Sequence, residues 1–283
     1  MENLGSFLWA VLGRTGVQLV LLLGPALGIG LAMHVLAVFT GRHAVRVLGI
    51  RVWHYGFAML GTLVHELGHA VPCPLFGHRI TRFRPFTTDP AAPVQGSVEH
   101  AYNPRNPWAQ AGNFFIGVGP LLSGPAAIYL LARMLLPASS FEALPQIDPS
   151  RGQGLWGILL GLGSQALAVV LGTLSSLFRT DHLGRWTFWL FLFLSFSIST
   201  GVHLSTADLR GAWKGLLVLV VALLLLNLVL GLFLDPTAQV LGLLGPGLGV
   251  LLGVMVFALT LLGLAALWFR GLSALRDLVR RPG

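Results

Sequence analysis

Gly61-Thr62-Leu63-Val64-His65-Glu66-Leu67-Gly68-His69-Ala70 is the stretch from which the rest of the chain can be read. It holds the pattern H-E-x-x-H inside an apolar run from Val52 to Val71. On a helix, His65 and His69 stand four positions apart and share a face, so both imidazoles reach one ion. Glu66 is offset from that face and reaches a water beside the ion without ligating it. Zinc in such a site acidifies water, and a carboxylate accepts the proton. An unpaired glutamate at bilayer depth costs at least about 2 kcal/mol, which marks its position as functional.

The surrounding chain explains why bilayer depth is the right setting. Of 283 residues, 55% are hydrophobic and only 10% are charged, whereas soluble domains carry about 25% charged residues. Several apolar runs reach the roughly 20 residues needed to cross a bilayer. This predicts an all-α polytopic membrane protein with about six transmembrane helices, over residues 17–40, 52–71, 112–135, 186–203, 214–234 and 240–269. Residues 4–12 read as a short interfacial helix. Residues 155–178 are apolar but hold Ser164, Gln165, Ser175 and Ser176, which leaves open whether they cross, re-enter or lie in the interface.

The net charge of +8 suits topology and anionic headgroups, and no basic run with interleaved aromatics points to nucleic acid. Cys73 is the single cysteine, which excludes an intrachain disulfide and a cysteine zinc site and predicts a packed, inert thiol. Glu2, with no early basic cluster, reads as a retained start and not a cleaved signal.

Beyond the motif, Pro72 and Pro74 stop the helix. Residues 77–86 alternate as a strand does, Pro90 and Pro93 break the chain, and Val94 to Tyr102 can form a second strand. The two predict a small β-hairpin at the membrane face. The next span is dense in small residues and prolines, among them Gly117, Gly119, Pro120, Gly124 and Pro125, which let its backbone approach a neighbour or a bound peptide.

Catalytic zinc takes three protein ligands, so the two histidines need a carboxylate. Asp208 lies in a Ser/Gly/His-rich break over residues 195–211, and Asp181 is the alternative. His65 and His69 are near the end of one span and Asp208 just past the end of another. Those two spans must then run in the same direction, and 155–178 cannot cross fully. An Asp181 ligand requires that it does.

His65-Glu66-Leu67-Gly68-His69 in an early span resembles the signature of site-2 proteases, the intramembrane zinc metalloproteases. Gly119-Pro120-Leu121-Leu122-Ser123 is similar to their Ala-Gly-Pro-Leu-Ala-Asn segment, with Val118 in place of Ala and Ser123 in place of Asn. The hairpin resembles their membrane-associated β-element. Asp208 takes the place of the aspartate in their Leu-Asp-Gly motif, although Ala207 precedes it and Leu209 follows; residues 203–211 look like a divergent bacterial branch.

The resemblance covers about residues 52–215. It implies one transmembrane domain over 1–283, with a catalytic core at 52–215 and accessory spans at 17–40 and 214–269, multi-pass in a cell membrane, the inner membrane of a bacterium. It further implies one Zn2+ per chain on His65, His69 and Asp208, with Glu66 as general base. The substrate would be a membrane protein or peptide cut in or near a transmembrane segment. An edge strand at Val94, Gly96 and Val98 would hold it by main-chain pairing, beside Asn113, Gly119 and Pro120.

Two other readings compete. A CAAX-type membrane zinc protease needs a glutamate followed four residues on by an aspartate, whereas Glu99 and Glu142 are followed by Asn103 and Gln146. A zinc-binding scaffold or transporter would carry further paired charges in its spans, and the unassigned spans offer only histidines and Asn227.

Overall fold

A computed structural model describes residues 4–137, 154–177, 183–232 and 236–279. Helix α1 runs unbroken over Leu4–Leu48. Residues 4–12 are therefore its first turns and not a separate interfacial helix. The reason is a continuous inward face: Val11, Thr15, Gln18 and Leu21 recur at helical spacing and are all buried.

Gly49, at φ 87, turns the chain into α2 (Ile50–Trp53). A π turn over His54–Ala58 follows, then α3 (Met59–Ala70), which carries the H-E-x-x-H, and the single turn α4 (Pro72–Leu75). The expected hairpin forms from β1 (Arg79–Arg84) and β2 (Ser97–Ala101), antiparallel, with a bulge between Ile80 and Arg82. Its connecting loop is tied to the π turn. His54 Nε2 donates to Thr87 O at 2.9 Å, and Tyr55 Oη donates to Thr88 O at 2.5 Å. The inserted residue of a π turn re-aims the side chains it carries, and here it aims two of them at the hairpin.

Helix α5 (Pro107–Leu135) starts cleanly because Asn106 caps it, accepting from Trp108 N–H, and Pro107 fills the first position. It is the central element. Ser123 Oγ donates to Val64 O and His69 Nδ1 to Ile116 O, so α5 runs antiparallel to α3. The two backbones touch where Gly119 meets Gly68; a Cβ on Gly119 would overlap the Gly68 carbonyl.

The other helices among the described residues are α6 (Gly154–Leu177), α7 (Trp186–Ser199), α8 (Thr206–Leu230) and α9 (Pro236–Val279). Helix α7 runs parallel to α3, since Phe57 meets Phe193, Gly61 meets Ser197 and His65 meets Gly201. The direction required by an Asp208 ligand is thus present. The end of α5 and the start of α7 lie at the same end of the bundle. Within that return, Ala166 and Val170 of α6 pack on Leu252 and Val256 of α9.

The main core joins Met33, Ile128, Ile198 and Val202 to Met255, Ala258 and Leu262 of α9. Outward faces are equally apolar, with Leu31, Leu130, Leu225 and Val229 exposed. Among the described residues, four helices are long and apolar enough to cross a membrane: α1, α5, α8 and residues 243–279 of α9. Of the six spans expected, the other two are shorter helices. Residues 50–70 form one helical run in which the π turn separates α2 from α3, and α7 has 14 residues.

Candidate metal centre

Helix α3 presents His65 and His69 on one face, and each ring is held by a carbonyl from a neighbouring segment. His65 Nδ1 donates to Gly201 O at 2.8 Å, and His69 Nδ1 donates to Ile116 O at 2.7 Å. A neutral imidazole has one N–H, so both Nε2 atoms are left as bare acceptors. They face one another at 3.2 Å.

Asp208 closes the corner from α8. It sits in the first turn of that helix, not in a bent break. Ser205 is the N-cap: its hydroxyl accepts from Asp208 N–H at 3.2 Å, and its own N–H donates to Asp208 Oδ2 at 2.6 Å. This Ser-x-x-Asp capping box shortens the expected break to residues 200–205. It also aims the carboxylate. Oδ1 lies 3.2 Å from His69 Nε2, and Oδ2 lies 3.8 Å from His65 Nε2. Asp181 lies outside the described residues.

The donor set fits a divalent ion. Its three ligand atoms lie within 4.8 Å of one another. Ligands on a tetrahedral zinc with bonds of 2.0–2.1 Å stand about 3.3 Å apart, close to the spacings found. A proton on either Nε2 satisfies one contact only, whereas a divalent cation answers two lone pairs and a carboxylate together. Two nitrogens and one oxygen, with one position open, is the set zinc takes in hydrolytic sites.

Glu66 is buried, and its Oε2 has no hydrogen-bond partner among the described residues. Gly96 lies directly over it: a Cβ there would come within 2.6 Å of Glu66 Cγ. Both line a cavity of about 1200 Å³ that also takes in His65, His69 and Asp208.

The expected substrate-binding residues divide. Val94, Gly96, Val98 and Asn113 line the cavity. Gly119 and Pro120 do not; they are buried where α5 crosses Gly68, because the missing side chain of Gly119 is what admits the Gly68 backbone. The edge strand expected from Val94 to Val98 begins only at Ser97. Before it, Gln95 O accepts from Thr87 N–H at 2.8 Å, and Gly96 lies over Glu66 outside the strand.

Sequence reading did not find three polar partners. Ser205 orients the carboxylate, and its spacing to Asp208 was the available signal. His203 lies against His65 with ring centroids 5.5 Å apart, and against His34 at 5.0 Å. His100 lines the cavity from β2, where burial and the neighbouring His78 lower its pKa. Cys73 is packed, as expected. It is fully buried, its thiol donates to His69 O at 3.3 Å, and burial pushes its pKa up to about 11.

No family model, no curated protein and no solved structure matches this chain.

Proposed function

We propose that the chain is an intramembrane zinc metalloprotease that hydrolyses peptide bonds in or near transmembrane segments of membrane proteins, multi-pass in a cell membrane. The observation that carries this reading is the corner where His65, His69 and Asp208 converge as acceptors, beside a buried Glu66 oxygen without a partner among the described residues. Bound at that corner, zinc would supply Lewis acidity.

The chain's own residues do the rest. Glu66 takes a proton from a water in the cavity as the water oxygen bonds to the scissile carbonyl carbon. The C–N bond then breaks, and Glu66 returns the proton to the leaving amine. The carbonyls of Gly201 and Ile116 hold the histidine rings in one tautomer throughout. A helical substrate hides its peptide bonds, so it enters unwound and lies along residues 94–98. The CAAX-type alternative gains no support from Glu99, which sits exposed on the hairpin, 3.8 Å from Arg82.

The test is Glu66→Gln in purified protein, with a membrane-anchored test substrate. The amide keeps the shape but cannot accept the proton, so cleavage should fall roughly 10²–10⁴-fold while zinc content stays at one per chain. Cleavage by this variant at the wild-type rate would falsify the reading.

A further inference from the structure

His78 and His100 form a second histidine pair, outside the metal corner, whose protons can be placed by hydrogen-bond accounting alone. His78 is buried and stacked on Tyr102, with ring centroids 4.6 Å apart. Its Nε2 lies 2.7 Å from Ala109 O, a pure acceptor, so that nitrogen carries the hydrogen. Its Nδ1 is then an acceptor. His100 Nδ1 stands 2.9 Å away and must be the donor.

The only proton of neutral His100 is therefore on Nδ1, and Nε2 keeps a lone pair. Among the described residues that nitrogen makes no hydrogen bond, and the ring lines the cavity that holds Glu66. His100 is not one of the three ligands of the metal corner. Asn113 repeats the pattern on the same cavity. One of its two Nδ2 N–H groups donates to Gln110 O at 3.2 Å, which orients the amide and leaves Oδ1 to accept. Each of these two side chains thus offers an acceptor to the cavity, and Asn113 keeps one further N–H. An extended peptide has N–H groups to give on both of its edges.

We infer that His100 is a substrate-positioning residue, its Nε2 accepting a hydrogen bond from a main-chain N–H of the peptide in the cavity. The inference rests on the protease reading. It makes recognition there a matter of backbone and not of side-chain identity, and it assigns buried His78 the task of fixing the His100 tautomer.

The experiment compares His100→Asn, His100→Gln and wild type on one membrane-anchored substrate. The Asn side chain keeps an N–H for His78 but cannot reach the Nε2 position; Gln can place an oxygen there. One lost hydrogen bond corresponds to a rise in KM of about tenfold for His100→Asn, with kcat within about twofold and zinc content unchanged. His100→Gln should return KM to within about threefold of wild type. In ¹⁵N spectra of histidine-labelled protein in micelles, His100 should be the Nδ1–H tautomer.

A wild-type KM in His100→Asn overturns the inference, as does zinc loss in that variant. An Nε2–H tautomer at His100 overturns it whatever the peptidase result. Wild-type protein that does not cleave, or cleaves without needing Glu66, overturns the protease reading and takes this inference with it. Glu66-dependent cleavage with KM unmoved by His100→Asn overturns this inference alone.

Discussion

Two buried polar clusters sit between helices of this chain, and they are built on opposite rules. Between α1 and α8, Gln18 and Asn227 exchange amide hydrogen bonds at 3.2 and 2.7 Å. Asn227 gives a further N–H to Thr15 Oγ1 at 2.8 Å, and the Thr15 hydroxyl donates to Val11 O. Each of these donors meets an acceptor within the cluster or its own helix. At the corner between α3 and α8, Nε2 of His65, Nε2 of His69 and the Asp208 carboxylate are acceptors facing acceptors. The first cluster is complete and pins two helices together; the second is incomplete and calls for a cation. Buried polarity alone does not mark a site. The balance of donors and acceptors does.

The contrast breaks most visibly through the ligands. His65→Ala, His69→Ala or Asp208→Ala should each weaken zinc binding by more than about 100-fold, since loss even of an outer partner costs 10–100-fold. Gln18→Leu should leave one zinc per chain. Metal analysis of the purified variants decides it, and full zinc in all three ligand variants would erase the distinction between the clusters.

A smaller effect is expected one shell out. Ser205→Ala removes the hydroxyl of the capping box that holds Asp208, and zinc affinity should fall roughly tenfold. The cap itself is worth about 1 kcal/mol of helix stability. Competition with a chelator measures the affinity; an unchanged value would mean that the Ser205 N–H alone suffices to aim the carboxylate.

The smallest effect belongs to the complete cluster. Asn227→Leu leaves Gln18 unpaired and should cost about 1 kcal/mol in unfolding from detergent, with zinc content intact. The double change Gln18→Leu/Asn227→Leu should cost less than the single one, because no polar group is left stranded. Zinc loss in Asn227→Leu would show that the two clusters are coupled through α8.

Much of this was legible along the chain. Alternation over residues 77–86 and 94–102 marked a hairpin that forms at 79–84 and 97–101. The i, i+4 histidines marked a shared face, and it is the face used. The start of α8 was harder. Ser205 and Asp208 sit in a run of Ser, Thr and Gly that looks like a break, and only the reciprocal hydrogen bonds distinguish a helix cap from a loop. Gly119 and Pro120 predict a place for peptide because small residues admit any close backbone; the backbone admitted there is that of Gly68.

The sequence by itself determined the apolar helices, the hairpin and the pair of histidines on one helical face. Those follow from periodicities of two and 3.6 residues, which are local properties of the chain. It was the tertiary structure that decided how the corner closes. The carbonyl that sets the His69 tautomer is 47 residues away, and the one that sets His65 is 136 away. Asp208 reaches the histidines because α3 and α7 run parallel and α5 lies antiparallel to both α3 and α8. The depth of those crossings is set by backbone contacts at Gly68–Gly119 and Gly61–Gly201. Which distant carbonyl a histidine meets depends on the rotation and direction of whole helices, and packing fixes these only when all the helices are present together.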